Sequence, residues 1–274
     1  MKNIFPALFL STIAFLLSSC SSENSGNNKM DSAKTIAIPS TEKTIIQTDS
    51  GRLEIENTNG LEERKATLYD KNGKVLQTGM FLDNKAAGAW IKYDAFGNVI
   101  SAEHYSAGKP IHELDKTDFS FRTWENKQFG AKFSVPKNWR EIPSPNPATI
   151  ASFEKEVKDS STRMKPNFNV ARAQLQPGDN LDKLAMMQIQ LLHENMERVE
   201  VVEESYLTID SCKAFRRFGK YYSDNVNVGF LDVIIVSGNT AWLFSCASEN
   251  NEQGDFLKYQ GLFQEIVESF QRVN

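Results

Sequence analysis

Hydrophobic and polar positions divide the chain into stretches of different period. Ile4 to Leu17 is apolar with no period at all, and residues 21 to about 45 show no sustained apolar period. From about 50 to 112 short apolar runs are punctuated by glycine-bearing turns, which predicts paired strands. From about 117 to 274 both periods occur. FSFRTWENKQFGAKFSVPKNWREI reads as two strands around Asn126-Lys127, closing on Pro136 and Trp139, and ATIASFEKE and NFNVARAQL read as two more. DNLDKLAMMQIQLLHENMERV carries Leu181, Leu184, Ala185, Leu192, Met196 and Val199 at the spacing of an amphipathic helix, opened by Asp179 or Asn180. Three strands come next in CKAFRRFGKYY, VGFLDVIIVSG and TAWLFSCAS, the last two joined by the hairpin signal Ser237-Gly238-Asn239-Thr240. GDFLKYQGLFQEIVESFQ then places Phe256, Tyr259, Phe263, Ile266, Val267 and Phe270 on one helical face.

The second stretch contains a repeat. Tyr69, Asp70, Gly73, Val75, Phe81 and Lys85 recur 24 residues later as Tyr93, Asp94, Gly97, Val99, Tyr105 and Lys109, and Gly60, Asn84 and Gly108 share the same offset. Each unit reads as a strand ending in Tyr-Asp, a turn with glycine where φ is positive, a second strand and another turn. This pattern resembles the variant MORN repeats of secreted bacterial proteins and of chains labelled YwqK-family antitoxins, with Gly88-Ala89-Trp90 supplying the G-x-W element. It departs from them at Asn84, where glycine is usual. So few repeats cannot cover their own apolar face, and the meander is expected to lean on the third stretch.

In the third stretch Phe133-x-x-Pro136-x-x-Trp139, the long helix after the fourth strand, the strand meander and a closing helix with Glu268-Ser269-Phe270 resemble the PsbP/Mog1/DcrB-like fold. The fold expected is therefore α+β: a short β-meander of MORN-like repeats over 46–112, then, over 117–274, an antiparallel sheet flanked by two main helices. The resemblance implies a binding or assembly accessory and brings no shared catalytic residue.

The opening run is about 14 residues, short of the roughly 20 a membrane-crossing helix needs, and it comes after Lys2, the only charge among residues 1 to 22. Leu17-Ser18-Ser19-Cys20 resembles the bacterial lipobox, which implies a signal peptide over 1–19, lipidation of Cys20, and a flexible tether over 20–45. Ser21 stands where aspartate would retain a lipoprotein at the inner membrane, so the resemblance leans toward the outer membrane, facing the periplasm.

Formal net charge is −4, with lysine and arginine scattered, which argues against a nucleic-acid partner. Register reasoning places Cys212 level with about residue 238 and Cys246 level with about 231, too far apart along the sheet to bridge, so both are expected as free, half-buried thiols. The histidines are His104, His112 and His193. His193-Glu194 lacks the second histidine of a zinc-protease helix, and His112 and Glu113 are expected in a solvated hinge. No motif for a nucleophile or a phosphate loop is present, so no metal, no cofactor and no enzymatic activity are expected.

Aromatic residues remain as binding candidates. Trp90, Tyr93, Phe96 and Tyr105 either form a recognition face or cover the meander's own small core. Arg216, Arg217, Lys220, Tyr221 and Tyr222 form a small basic-aromatic cluster on one strand, either a binding candidate or a solvated strand face. The function expected is a lipid-anchored envelope accessory that binds another protein or an envelope component. The alternatives are a small-ligand-binding or hydrolytic protein using a cavity between sheet and helix, and a toxin-neutralising partner.

Overall fold

The computed structural model describes residues 43–49, 51–57, 63–144, 146–157, 162–250 and 255–273. The leader, Cys20 and nearly all of the stretch read as tether lie outside them.

The repeat stretch forms a seven-stranded antiparallel sheet in strict chain order: β1 (Lys43–Thr48), β2 (Gly51–Asn57), β3 (Glu63–Asp70), β4 (Val75–Leu82), β5 (Lys85–Tyr93), β6 (Val99–Ser106) and β7 (Lys109–Glu113). β1 starts at Lys43, inside the stretch 20–45. His112 and Glu113 are in β7, not in a solvated hinge, because Leu114 N–H still bonds to Ala102 O and holds the strand to β6. The 24-residue offset recurs in the bonding. Asp70 Oδ1 accepts from the N–H groups of Asn72 and Lys74, and Asp94 Oδ1 accepts from those of Phe96 and Asn98. Gly73 and Gly97 sit in these turns at φ 81° and 84°. Asn84, at φ 62°, takes the left-handed position that Gly108 occupies at φ 85°, and asparagine tolerates it better than most residues.

A 3₁₀ turn (Lys116–Phe119) leads into β8 (Phe121–Asn126) and β9 (Ala131–Pro136), which form a three-stranded sheet with β17 (Gln271–Arg272). The other strands build the central sheet. These are β10 (Trp139–Glu141), β11 (Thr149–Lys155), β12 (Asn167–Gln174), β13 (Glu197–Ile209), β14 (Cys212–Ser223), β15 (Val226–Ser237) and β16 (Thr240–Glu249), in the order β10-β11-β12-β16-β15-β14-β13. Two helices flank it, α1 (Leu181–Asn195) on one face and α2 (Asp255–Glu268) on the other.

Asn180 caps α1, its side chain accepting from Lys183 N–H. The helix stops short of Met196 and Val199, contrary to the helical spacing of those residues: Met196 turns extended, at φ −123° and ψ 147°. The sheet then gains a 13-residue strand, β13, which the helical period had concealed. Glutamates interleave its Val199, Val201, Val202 and Ile209, and mask a β-branched run that suits a pleated surface.

The core lies between the central sheet, α2 and the β8–β9 layer. Phe133 contacts Phe153, Phe168 and Phe244 edge-on, and Trp139 meets Phe168 and Phe263. The Trp139 indole N–H donates to Asp118, a buried carboxylate that also binds Lys155 and Asn138. Ile91 and Ala102 of the repeat sheet and Leu114 belong to this same core, so the meander leans on the domain as expected. Cys212 pairs in register near Ser237, and Cys246 opposite Leu231. Both thiols are free and fully buried instead of half-buried, because α2 and the β8–β9 layer cover that face.

Candidate functional site

The repeat sheet has two unlike faces. Alternation and register put Ala89, Ile91, Tyr93 and Ala102 on the face toward α2. The same rule puts Leu53, Ile55, Ala66, Leu68, Phe81, Trp90 and Tyr105 on the outward face. Trp90 is the hub of that face. Its ring centroid lies 5.2 Å from Phe81 and 5.9 Å from Tyr105, and its indole N–H donates to Met80 O. Gly79 makes room for it, since a Cβ there would fall 2.2 Å from the indole ring. Apart from Ala66, these side chains are only half-buried, and none of them belongs to either hydrophobic core cluster.

The four aromatic candidates therefore separate. Trp90 and Tyr105 share the outward face with Phe81, which the sequence did not single out as a site residue. Its place in the repeat, equivalent to Tyr105, was the available signal. Tyr93 is on the opposite face, packed against the core with its hydroxyl 3.2 Å from Thr78 Oγ1. Phe96 stands at the tip of the β5–β6 turn, 90% exposed.

A second feature lies where the repeat sheet meets α2 and the β13–β14 turn. A cleft of about 230 Å³ is lined there by Glu63, Lys65, Asp210, Arg216, Glu265 and Glu268, with Met80 and Leu207 among its apolar walls. Gly261 lets α2 approach β5: a Cβ at 261 would lie 2.7 Å from that of Ala89. Arg216 is buried, and it spans the junction. Its Nε donates to Ser205, Nη1 to Glu63 at 3.2 Å, and Nη2 to both Glu63 and Glu203. Burial opposes its charge, but the two glutamates outweigh burial and raise its pKa. Lys65 bonds to Glu268 at 3.2 Å and lies 3.9 Å from Glu265. Burial, with the neighbouring Glu268, pushes the Glu265 carboxyl up against the pull of Lys65.

A solvated strand face at Arg216 and Arg217 is not found, because both guanidiniums are buried and alternate residues of β14 face opposite ways. Arg217 turns toward α1, where it donates to Gln188, to Ala185 O at 3.0 Å and to Glu204 at 2.7 Å. Gln188 in turn donates to the buried Asp232 carboxylate. Burial pushes Asp232 up to about 6, against the opposing pull of Arg217 and Gln188. His104 is buried opposite His112, and burial, with the charge of that neighbour, lowers it to about 4. His193 is exposed on α1. Among the described residues no group of three or more histidine, cysteine, aspartate or glutamate side chains is placed to hold a metal ion.

No family model matches the chain, and no curated protein matches it. Among solved structures it is similar to cyanobacterial PsbP (CyanoP) from Synechocystis sp. PCC 6803, at 14% identity over 56% of this chain and 93% of that one, with a TM-score of 0.45. It is similar to the Ran-binding protein Mog1p of Saccharomyces cerevisiae, at 12% identity over 57% and 96%, with a TM-score of 0.44. It is also similar to LpqN, involved in cell envelope biogenesis of Mycobacterium tuberculosis, at 16% identity over 53% and 83%, with a TM-score of 0.41. At these identities a likeness concerns fold alone. The described residues form an α+β fold of antiparallel sheets with two α-helices.

Proposed function

We propose that this chain is a lipid-anchored accessory protein of the cell envelope, held through Cys20 at the outer membrane and facing the periplasm, which binds a protein partner without catalysing a reaction. The observation that supports it most is the outward face of the repeat sheet, where Phe81, Trp90 and Tyr105 cluster outside either core. Large aromatic side chains anchor interfaces because they bury much area at little entropic cost, and a contiguous apolar patch on a folded surface marks such a site. Phe96 is a separate exposed aromatic, at the tip of the β5–β6 turn.

The test is crosslinking in living cells and mass spectrometry of the products. Trp90→Ala combined with Tyr105→Ala should lose the partner that the native chain captures, with the melting temperature nearly unchanged; an unaltered partner set defeats the reading. The anchor has a separate readout. Radiolabelled palmitate should enter the native chain and not Cys20→Ala, and equal labelling of both would exclude lipidation at that residue.

The cleft supports a second reading, in which the protein binds a small ligand. Four carboxylates and two cations converge there beside apolar walls, an arrangement suited to an amine carried on an alkyl stem. Saturable binding of such an amine, lost in Glu265→Gln, would favour this reading over the first.

A further inference from the structure

The edges of the sheets differ in how they are guarded. β7 carries Pro110, which has no N–H to offer a neighbour, and its register with β6 shifts at His104/Tyr105. β13 has two register shifts against β14 and a left-handed residue, Arg198 at φ 51°. β10 has three residues and β17 two, while β8 sets Arg122 and Glu125 along its length. These are the devices by which sheets avoid pairing with other chains.

β1 has none of them. KTIIQT is matched residue for residue to β2 from Lys43↔Glu56 to Thr48↔Gly51, without a bulge. All six residues are exposed, Ile45 and Ile46 at 53% and 45%, and the far side of the strand borders no described strand. Its one charge is turned back into its own sheet: Lys43 Nζ bonds to Glu54 at 2.7 Å and to Glu56 at 3.1 Å. The edge is unbulged, with two exposed isoleucines at its centre and its one lysine paired within its own sheet.

We infer that β1 pairs antiparallel with β1 of a second copy of this chain. A two-fold axis normal to the sheet sets residues of like parity opposite one another, so each face continues into the partner. Centred on Ile45, the pairing sets Ile45 against Ile45, Thr44 against Ile46 and Lys43 against Gln47. Centred on Ile46, it sets Ile46 against Ile46, Thr44 against Thr48 and Ile45 against Gln47. Neither register opposes two like charges, and both put isoleucine at the centre, where cross-strand β-branched pairs stabilise a sheet. This self-complementarity selects a second copy over a foreign strand. The joined sheet runs through fourteen strands, twice the seven of one copy. Its outward face then carries two Phe81–Trp90–Tyr105 clusters, so the assembly is bivalent toward any partner of that face.

The experiment uses the full chain in its own cells, with a photoreactive benzoylphenylalanine at Gln47. Irradiation should give a covalent dimer, and peptide mapping should find the link within residues 43–48 of the second copy. Ile45→Lys with Ile46→Lys should cut that dimer by at least roughly tenfold, because lysines then oppose lysines across the axis; amide exchange in β3 to β6 should stay unchanged, which separates lost pairing from lost folding. Absence of a dimer, a link elsewhere in the second copy, capture of a different protein alone, or a dimer that persists in the double variant each overturns the inference.

Discussion

The repeat sheet and the α+β unit bury their residues by opposite strategies. In the α+β unit the central sheet is covered by α2 on one face and α1 on the other, and its aromatic core draws on residues from Phe119 to Phe270. In the repeat sheet each strand pairs with its neighbours in sequence, and among the described residues only one face is covered. Local pairing makes such a sheet easy to form, and one-sided burial makes it depend on its support. The two regions are thus unequal partners. Stability flows from the closed unit to the open one, and the open one keeps a face free for other work.

The change expected to test this hardest is Phe168→Ala. The ring is fully buried against Phe133, Phe153 and Trp139, so its loss should cost about 3–5 kcal/mol by denaturant titration. Amide protection in β5 and β6 should fall together with that of β14 to β16. A repeat sheet that stays protected while the central sheet opens would show that it stands alone.

Next in size is a pH effect confined to the closed unit. Burial raises the folded pKa of Asp232 to about 6 from its ordinary value of 3.8. Between those values the folded chain binds more protons than the unfolded chain, so this group's contribution is fully present below the lower value and is lost as pH rises through the upper one. The loss is roughly 2–3 kcal/mol, at about 1.4 kcal/mol per pKa unit. In Asp232→Asn the fall in stability from pH 4 to pH 6 should flatten, and a slope identical to that of the native chain would place the proton elsewhere.

The smallest effect belongs to the junction. Gly261→Ala gains about 1 kcal/mol in helix propensity but puts its methyl 2.7 Å from Ala89 Cβ, an overpacking that costs about 1–3 kcal/mol. A net loss of about 1 kcal/mol is expected, with faster amide exchange in β5 and no change in β15. Equal acceleration in both strands would mean that the two regions open as one.

Much of this division could be read from residue order. The 24-residue offset marked the turns because Asp70 and Asp94 each need a glycine three residues on to close the same loop. The hairpin at Gly238-Asn239 set the register that keeps Cys212 and Cys246 apart. What escaped depended on contacts distant in sequence. β13 was hidden because its glutamates meet Arg216, Arg217 and Lys220 of the next strand, and the sequence does not show which charges are paired. Arg216 looked solvated because Glu63, its partner across the junction, lies 153 residues away. Tyr93 and Trp90 were grouped by type, although three residues apart on one strand they point to opposite faces by alternation; what needed the structure was which face meets the core.

The strict chain order of the repeat sheet also makes it a ruler. Each 24-residue unit adds two strands, and strands sit about 4.8 Å apart, so one further unit inserted between Asn57 and Glu63 would carry β1 roughly 10 Å farther from the body. The contact of β5 with α2 would not change, because the insertion lies on the far side of it. Span is therefore adjustable in steps by gene duplication alone, and chains that differ only in unit number would hold the same body at different distances from whatever grips the first strand.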